Sequence, residues 1–211
     1  MRFLIFDMDG VLVDTCGLHA RAYRDLWERC GVTGPAYQTI AGRPTVEVVG
    51  EATRELSPSA EMLAGWVGFK QRRAREYLGT VPVIYGDVLP ALRALDRAGI
   101  GMGVATGASR ETAELLLDHA SVADFFRFVL AAEDVRNGKP DPEVYRRAVE
   151  LAGVAAEQAA VVEDSASGLA AAVAAGAPVA CVRSGLRIAS PLFLGSFAGL
   201  IELTRAIGVE A

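Results

Sequence analysis

The sequence predicts an open α/β sheet of parallel strands, interrupted after its first strand by a small helical domain. Three observations predict it. The chain opens on a short apolar run, Arg2 to Phe6, that stops at acidic residues and glycine, as a buried strand ended by a loop does. Residues 16–80 carry helical periodicities and no convincing strand. From residue 81 onward short apolar runs alternate with helical segments, a rhythm that calls for crossover units and a parallel sheet. Residues 1–15 and 81–211 are therefore expected to form the α/β core, and residues 16–80 the helical insert.

The elements follow in order. From Leu18 to Cys30 the apolar positions Leu18, Ala22, Tyr23, Leu26 and Trp27 recur at helical spacing, with Arg21, Arg24, Asp25 and Glu28 on the other face. Two more helical patterns run from Thr45 to Glu55 and from Ser59 to Leu78. Asp87 is placed to cap a helix from Val88 to Ala98, with Pro90 tolerated in its first turn, and Ile100 to Ala105 is the strand after it. The next cycles give a helix at Arg110 to His119 and a strand at Phe126 to Ala131, then a helix at Pro142 to Ala152 and a strand at Ala159 to Val162. A helix at Gly168 to Ala175 and a strand at Pro178 to Val182 follow, and Phe197 to Ile207 reads as a closing helix.

Composition narrows the function. At 211 residues, 52% hydrophobic and 22% charged, the chain is an ordinary globular length and mixture, neither disordered nor fibrous. Its net charge of −5 leaves no basic excess for a phosphate backbone, so nucleic acid is not an expected partner. The apolar stretches Leu169 to Val182 and Ile188 to Ile201 are too short and too interrupted to cross a bilayer. The first residues form neither a secretory h-region nor a transit peptide, so a cytoplasmic chain is expected. Cys16, Cys30 and Cys181 are unpatterned and odd in number, which reads as reduced, buried thiols.

In open α/β sheets ligands sit beyond the carboxyl ends of the strands. The sequence places polar groups after four successive strands: Asp7 and Asp9, then Thr106-Gly107, then Lys139-Pro140, then Glu163-Asp164. Asp7 and Asp9, two apart in extended chain, lean to the same side, and carboxylates so close need a cation or a shared proton between them. With Asp164, and Glu163 as a fourth acid, the oxygen-rich set suits Mg²⁺. The chain has two lysines, Lys70 and Lys139, among 21 basic residues, so a lysine between Gly138 and Pro140 is an unusual choice. A compact ammonium there suits a phosphoryl oxygen or a carboxylate nucleophile. Thr106 offers a hydroxyl, and Gly107 opens a loop whose amides can approach an oxyanion at a helix start.

Each signal is weak alone. Together, in chain order, Phe6-Asp7-Met8-Asp9-Gly10-Val11-Leu12-Val13-Asp14-Thr15, Val104-Ala105-Thr106-Gly107, Gly138-Lys139-Pro140-Asp141-Pro142 and Val162-Glu163-Asp164-Ser165 with Gly168 resemble the four motifs of the haloacid dehalogenase superfamily. The insert resembles the small helical cap of its phosphoglycolate phosphatase and β-phosphoglucomutase type, on a Rossmann-like core. The resemblance implies Asp7 as nucleophile, Asp9 as general acid and base, and Mg²⁺ held by Asp7, the Asp9 carbonyl and Asp164, with Glu163 as a further candidate. It implies Thr106 and Lys139 as holders of the phosphoryl oxygens. Substrate choice would fall to the cap, where His19 matches a position of that resemblance and Arg43, in the Ala41 to Thr45 loop, is a candidate grip on a second anionic group. Cys16-Gly17 depart from the Glu-Pro often found before that histidine. Lys70 and His119 read as surface residues.

The reaction so implied is Mg²⁺-dependent hydrolysis of a small phosphorylated metabolite. A dehalogenase is disfavoured because it does not need an acid at position 9, and a phosphonatase because the Ala41 to Val48 loop has no lysine. A phosphosugar mutase shares the core, although Ala108 stands where similar mutases carry a phosphate-gripping serine. An idle phosphate-binding protein is disfavoured because every expected catalytic position is filled.

Overall fold

The computed structural model describes residues 1–41, 43–78 and 84–210. They fall into two compact units: Met1–Asp14 with the chain from Ile84, and the segment from Thr15 up to residue 83. In chain order the first strand, β1 (Phe3–Phe6), is followed by α1 (Cys16–Cys30), α2 (Tyr37–Ile40), α3 (Thr45–Ala52) and α4 (Ala60–Leu78). The chain then runs through α5 (Val88–Arg97), β2 (Gly101–Ala105), α6 (Arg110–His119), β3 (Val129–Leu130), α7 (Glu143–Ala152) and β4 (Ala159–Glu163). It ends with α8 (Ala166–Ala174), β5 (Val179–Val182), β6 (Phe193–Phe197) and α9 (Leu200–Ala206).

The strands form one parallel sheet in the order β3-β2-β1-β4-β5-β6. β1, β2, β4 and β5 are buried at every position, which is why they read as continuous apolar runs rather than as alternation. The core packs Phe3, Ile5, Val161 and Val179 against Val144, Tyr145 and Ala148 of α7 and Leu169 of α8. Helix ends use local chemistry: the Ser109 hydroxyl accepts from the Thr112 amide, the Ser165 hydroxyl accepts from the Gly168 amide, and Gly153 ends α7 at φ 66°. Because β1 has β2 on one side and β4 on the other, the chain reverses its winding there, and a crevice opens at the carboxyl ends of β1 and β4.

The helical unit is built on α1 and α4. Tyr23, Leu26 and Trp27 of α1 pack with Ile40, Val48 and Val49, and Trp66, Val67 and Phe69 of α4 lie against them. Asp25 accepts from Arg73 at 2.7 Å and from the Tyr77 hydroxyl, tying the two helices together.

Several expectations change. β6 stands where no strand was predicted. It is an edge strand with only partly buried side chains and an irregular register beside Val179, so its pattern carries neither alternation nor a buried run. α9 is accordingly shorter than the predicted closing helix. β3 is also short, two residues of the predicted Phe126 to Ala131. Lys70 is not a surface residue: it is 6% exposed, its ammonium 3.0 Å from His19 Nδ1 and 4.6 Å from the centre of the Tyr23 ring. Of the three thiols only Cys181 is buried, while Cys16 is exposed and Cys30 intermediate. Gly42 and the predicted boundary at residues 80 and 81 lie outside the described residues.

Asp87 precedes α5, yet its side chain does not cap that helix. It reaches instead across the core, accepting from Arg183 at 2.7 Å and from the Leu200 amide at 2.7 Å at the start of α9. The same guanidinium donates to the Val11 carbonyl and lies 3.7 Å from the centre of the Tyr85 ring. Burial alone would raise the Asp87 carboxyl, but Arg183 and the Leu200 amide outweigh it and hold the group below its ordinary 3.8. Asp87→Ala is expected to destabilise the chain by about 1.5–3 kcal/mol at pH 7, read by urea unfolding. A carboxyl held low stabilises above its unfolded value and loses that contribution as pH falls through the folded one. The gap between wild type and Asp87→Ala should therefore close as pH drops below about 3.8.

Candidate active site

The crevice gathers the loops that follow four strands. Phe6 is paired with Val162 across the β1–β4 ladder, and the Asp7 amide donates to the Val162 carbonyl at 2.9 Å, so Asp7 stands beside Glu163 by strand register alone. After Asp7 the chain turns tightly: the amides of Leu12 and Val13 donate to the Met8 carbonyl, and Gly10 N donates to Val13 O. Gly10 sits at φ 80°, and a Cβ there would lie 2.0 Å from Asp164 Oδ2. Only glycine lets this turn approach the acid.

Lys139 enters from the loop before α7 and is almost enclosed. Its ammonium donates to Asp7 Oδ1 at 2.5 Å, to Glu163 Oε1 at 2.7 Å and to the Ala105 carbonyl at 3.2 Å. One nitrogen thus joins the ends of β1, β2 and β4, using all three of its protons. The loop that delivers it is shaped by Glu143, whose carboxylate accepts the amides of Arg136 and Asn137.

Glu163 is fully buried and heavily bonded. Oε1 accepts from Lys139 and, at 2.6 Å, from the Tyr145 hydroxyl; Oε2 accepts from the amides of Asp164 and Ser165 and from the Ser165 hydroxyl. Gly168 makes room for it, since a Cβ there would sit 1.7 Å from Oε1. Tyr145 is the residue of this network that the sequence did not single out; Ser165 stood in the fourth motif without an assigned role. Ser165 carried a signal, a serine three residues before a glycine at a helix start, whereas Tyr145 reads only as one more apolar position of α7.

The electrostatics are unbalanced. Burial drives the Asp7 carboxyl well above its ordinary value; Lys139 opposes this, and Glu163, Asp164 and Asp9 add to it. Asp164 is pushed up to about 7, by burial first and then by Glu163. Burial would lower the Lys139 ammonium, but Asp7 and Glu163 overcome it and raise the group. Burial likewise acts to raise Glu163, and Lys139 outweighs it and brings the carboxyl down. Asp7, Glu163 and Asp164 each offer an oxygen within 4.8 Å of the others. Hard oxygens carrying more negative charge than one ammonium can neutralise are a donor set that fits a divalent cation such as Mg²⁺. Glu163, offered by the sequence as a fourth ligand, is one of these three acids, and its two oxygens also accept from protein donors.

The other predicted residues fall as follows. Thr106 follows β2, is 2% exposed, and its hydroxyl accepts the Ala108 amide at 3.1 Å. At Gly107 a Cβ would meet nothing within 4 Å, so the glycine is not forced there by packing. His19 and Arg43 belong to the helical unit. His19 meets Lys70 and stacks on Tyr37 at 5.9 Å, and Arg43 donates to Glu51 at 2.7 Å.

The strand ends of a doubly wound sheet here converge on a buried lysine between acids. Residues 4–182 match the family model described as haloacid dehalogenase-like hydrolase, and the chain belongs to that family. It is 35% identical over 182 residues to a phosphorylated carbohydrates phosphatase of Thermotoga maritima, covering 83% of this chain and 82% of the relative. It is 32% identical over 184 residues to a fructose-1-phosphate phosphatase of Escherichia coli, covering 85% and 95%. Among solved structures, β-phosphoglucomutase of Clostridium difficile superposes with a TM-score of 0.78 at 22% identity, over 86% of this chain and 84% of that one, a likeness of fold.

Gly168→Ala is expected to force Glu163 from its seat, lowering stability by about 1–3 kcal/mol as overpacked cores do. Thermal and urea unfolding check it, and the unfolding midpoint should fall in both.

Proposed function

We propose that this chain is a Mg²⁺-dependent phosphatase that hydrolyses a small phosphate monoester through a phosphoryl group carried transiently on Asp7. The observation that carries the reading is the buried Asp7 carboxylate on the Lys139 ammonium with Asp164 alongside: a nucleophile, its counter-ion and a hard-cation ligand at one strand end. The printed activities of the two curated relatives support the same chemistry and make phosphorylated carbohydrates the first class to test.

In this reading an Asp7 oxygen attacks phosphorus while the Asp9 carboxyl gives its proton to the departing alkoxide. Asp9, now a carboxylate, takes a proton from water, whose oxygen attacks the phosphorus and frees Asp7. Lys139 holds Asp7 in place and faces the phosphoryl oxygens; its longest bond, to the Ala105 carbonyl, is the one a phosphoryl oxygen would replace. Thr106 contributes its hydroxyl. Asp7, the Asp9 carbonyl and Asp164 would hold Mg²⁺, which supplies positive charge against the acids and the phosphoryl oxygens. Residues 16–80 would act as the cap, with His19 and Arg43 as its candidate substrate contacts. Asp9 favours phosphoryl transfer over dehalogenation, and Ala108 favours transfer to water over transfer to a second hydroxyl.

The test is phosphate release from a panel of sugar phosphates, glycolate phosphate, nucleotides and pyrophosphate with Mg²⁺. Release from a few esters is the expected result; silence across the panel, with isomerisation of a sugar phosphate once a bisphosphate is added, would replace hydrolysis by mutase chemistry. Asp7→Asn should lower kcat by roughly a thousandfold or more, and Asp9→Asn by about 10² to 10⁴, both read on the ester that is turned over. Mg²⁺ affinity should weaken as pH falls below about 7, because protons then compete for Asp164, and titration calorimetry at pH 8 and pH 6 checks the sign.

A further inference from the structure

We propose that Tyr145 is a positioning residue of the proposed reaction, its hydroxyl holding Glu163 so that the Lys139 ammonium stays on Asp7. The inference rests on the phosphatase reading for its kinetic consequence and on geometry alone for the link between the three side chains.

Tyr145 lies in the first half of α7, just after the loop that delivers Lys139, and it is fully buried. It touches both partners of the central ion pair. Its hydroxyl donates to Glu163 Oε1 at 2.6 Å, and the Lys139 ammonium stands 4.8 Å from the centre of its ring. Burial, with Glu163 next, keeps the phenol far above its ordinary value, so it remains a donor. It lies too deep behind Glu163 to serve as a proton carrier for substrate.

The oxygen that Tyr145 serves is the one that competes for Lys139. Glu163 Oε1 takes one bond from each, and Glu163 is 0% exposed, so no bulk water stands ready to replace a missing donor. A buried carboxylate oxygen left short of a donor is costly, which favours a closer approach by the donor that remains. Here that donor is the ammonium. Without the tyrosine hydroxyl, Lys139 is drawn toward Glu163 and off Asp7 Oδ1, the atom it meets at 2.5 Å. The nucleophile then loses alignment as its oxygen gives its electron pair to phosphorus, while Thr106 and the proposed contacts from the helical unit keep theirs.

Tyr145→Phe isolates the hydroxyl, since the ring and its face toward Lys139 remain. Using p-nitrophenyl phosphate and the best ester of the panel, kcat should fall roughly 10- to 100-fold, the usual cost of removing an outer partner of a catalytic group. KM should stay within about twofold. A second readout uses the lysine content: with only Lys70 and Lys139 in the chain, protein labelled with ¹³Cε-lysine gives two side-chain signals, assigned with Lys70→Arg. In Tyr145→Phe the Lys139 signal should move and the Lys70 signal should not, which also reports an intact helical unit.

A kcat at the wild-type level overturns the proposal, as does a rise in KM with kcat kept. So does an unmoved Lys139 signal, even with a slower enzyme, because the loss would then come from packing. Wild-type protein that turns over nothing would instead overturn the phosphatase reading, and the lysine spectrum still decides whether Tyr145 governs Lys139.

Discussion

Everything at the crevice depends on one buried ammonium. Unit charges about 4 Å apart near a protein surface attract by about 4 kcal/mol, and losing one partner of a buried pair costs about 3–5 kcal/mol. Lys139 therefore does more than bring charge to the site. By bonding to Asp7, Ala105 and Glu163 it fastens together the ends of three strands that are far apart in sequence. The loop geometry on either side serves that end: Glu143 shapes the chain before the helix, and Gly10 and Gly168 clear space for Asp164 and Glu163.

The two acids at the end of β4 divide the labour. Glu163 is sealed by five donors and stays charged, a fixed counterweight for Lys139. Asp164, one residue later, lacks that cage, and burial, with the charge of Glu163 beside it, pushes its carboxyl up to about 7. Adjacent residues of the same chemical type thus hold different protonation habits, set by which side of the strand end each one faces.

Much of this was legible in the sequence because it lies in short, ordered segments. Asp7, Thr106 and Asp164 stand at or just after the ends of apolar runs that read as buried strands, and Lys139 sits in a short Gly-Lys-Pro turn before a helix; the strand order then brings them together. What escaped notice depends on distance contacts. Asp87 looked like a helix cap because local spacing cannot reveal Arg183 and Leu200 across the core. Lys70 looked like a surface charge because helical periodicity cannot show that His19 and Tyr23 enclose its ammonium. β6 was missed because an edge strand need not bury a face, and Tyr145 because a hydroxyl at the end of a buried ring leaves no mark on an apolar pattern.

The excursion into the helical unit begins and ends at one place in the core. Val13 and Ile84 are bridge partners in antiparallel sense, and the Tyr85 amide donates to the Leu12 carbonyl. The ends of the inserted segment are thus already in register, and lengthening it adds little to the cost of closing it, because loop-closure entropy grows only with the logarithm of its length. The sheet carrying the acids is indifferent to what is threaded between those two residues. Changes in the length of that segment need not shift a single rung of the ladder that aligns Asp7 with Glu163.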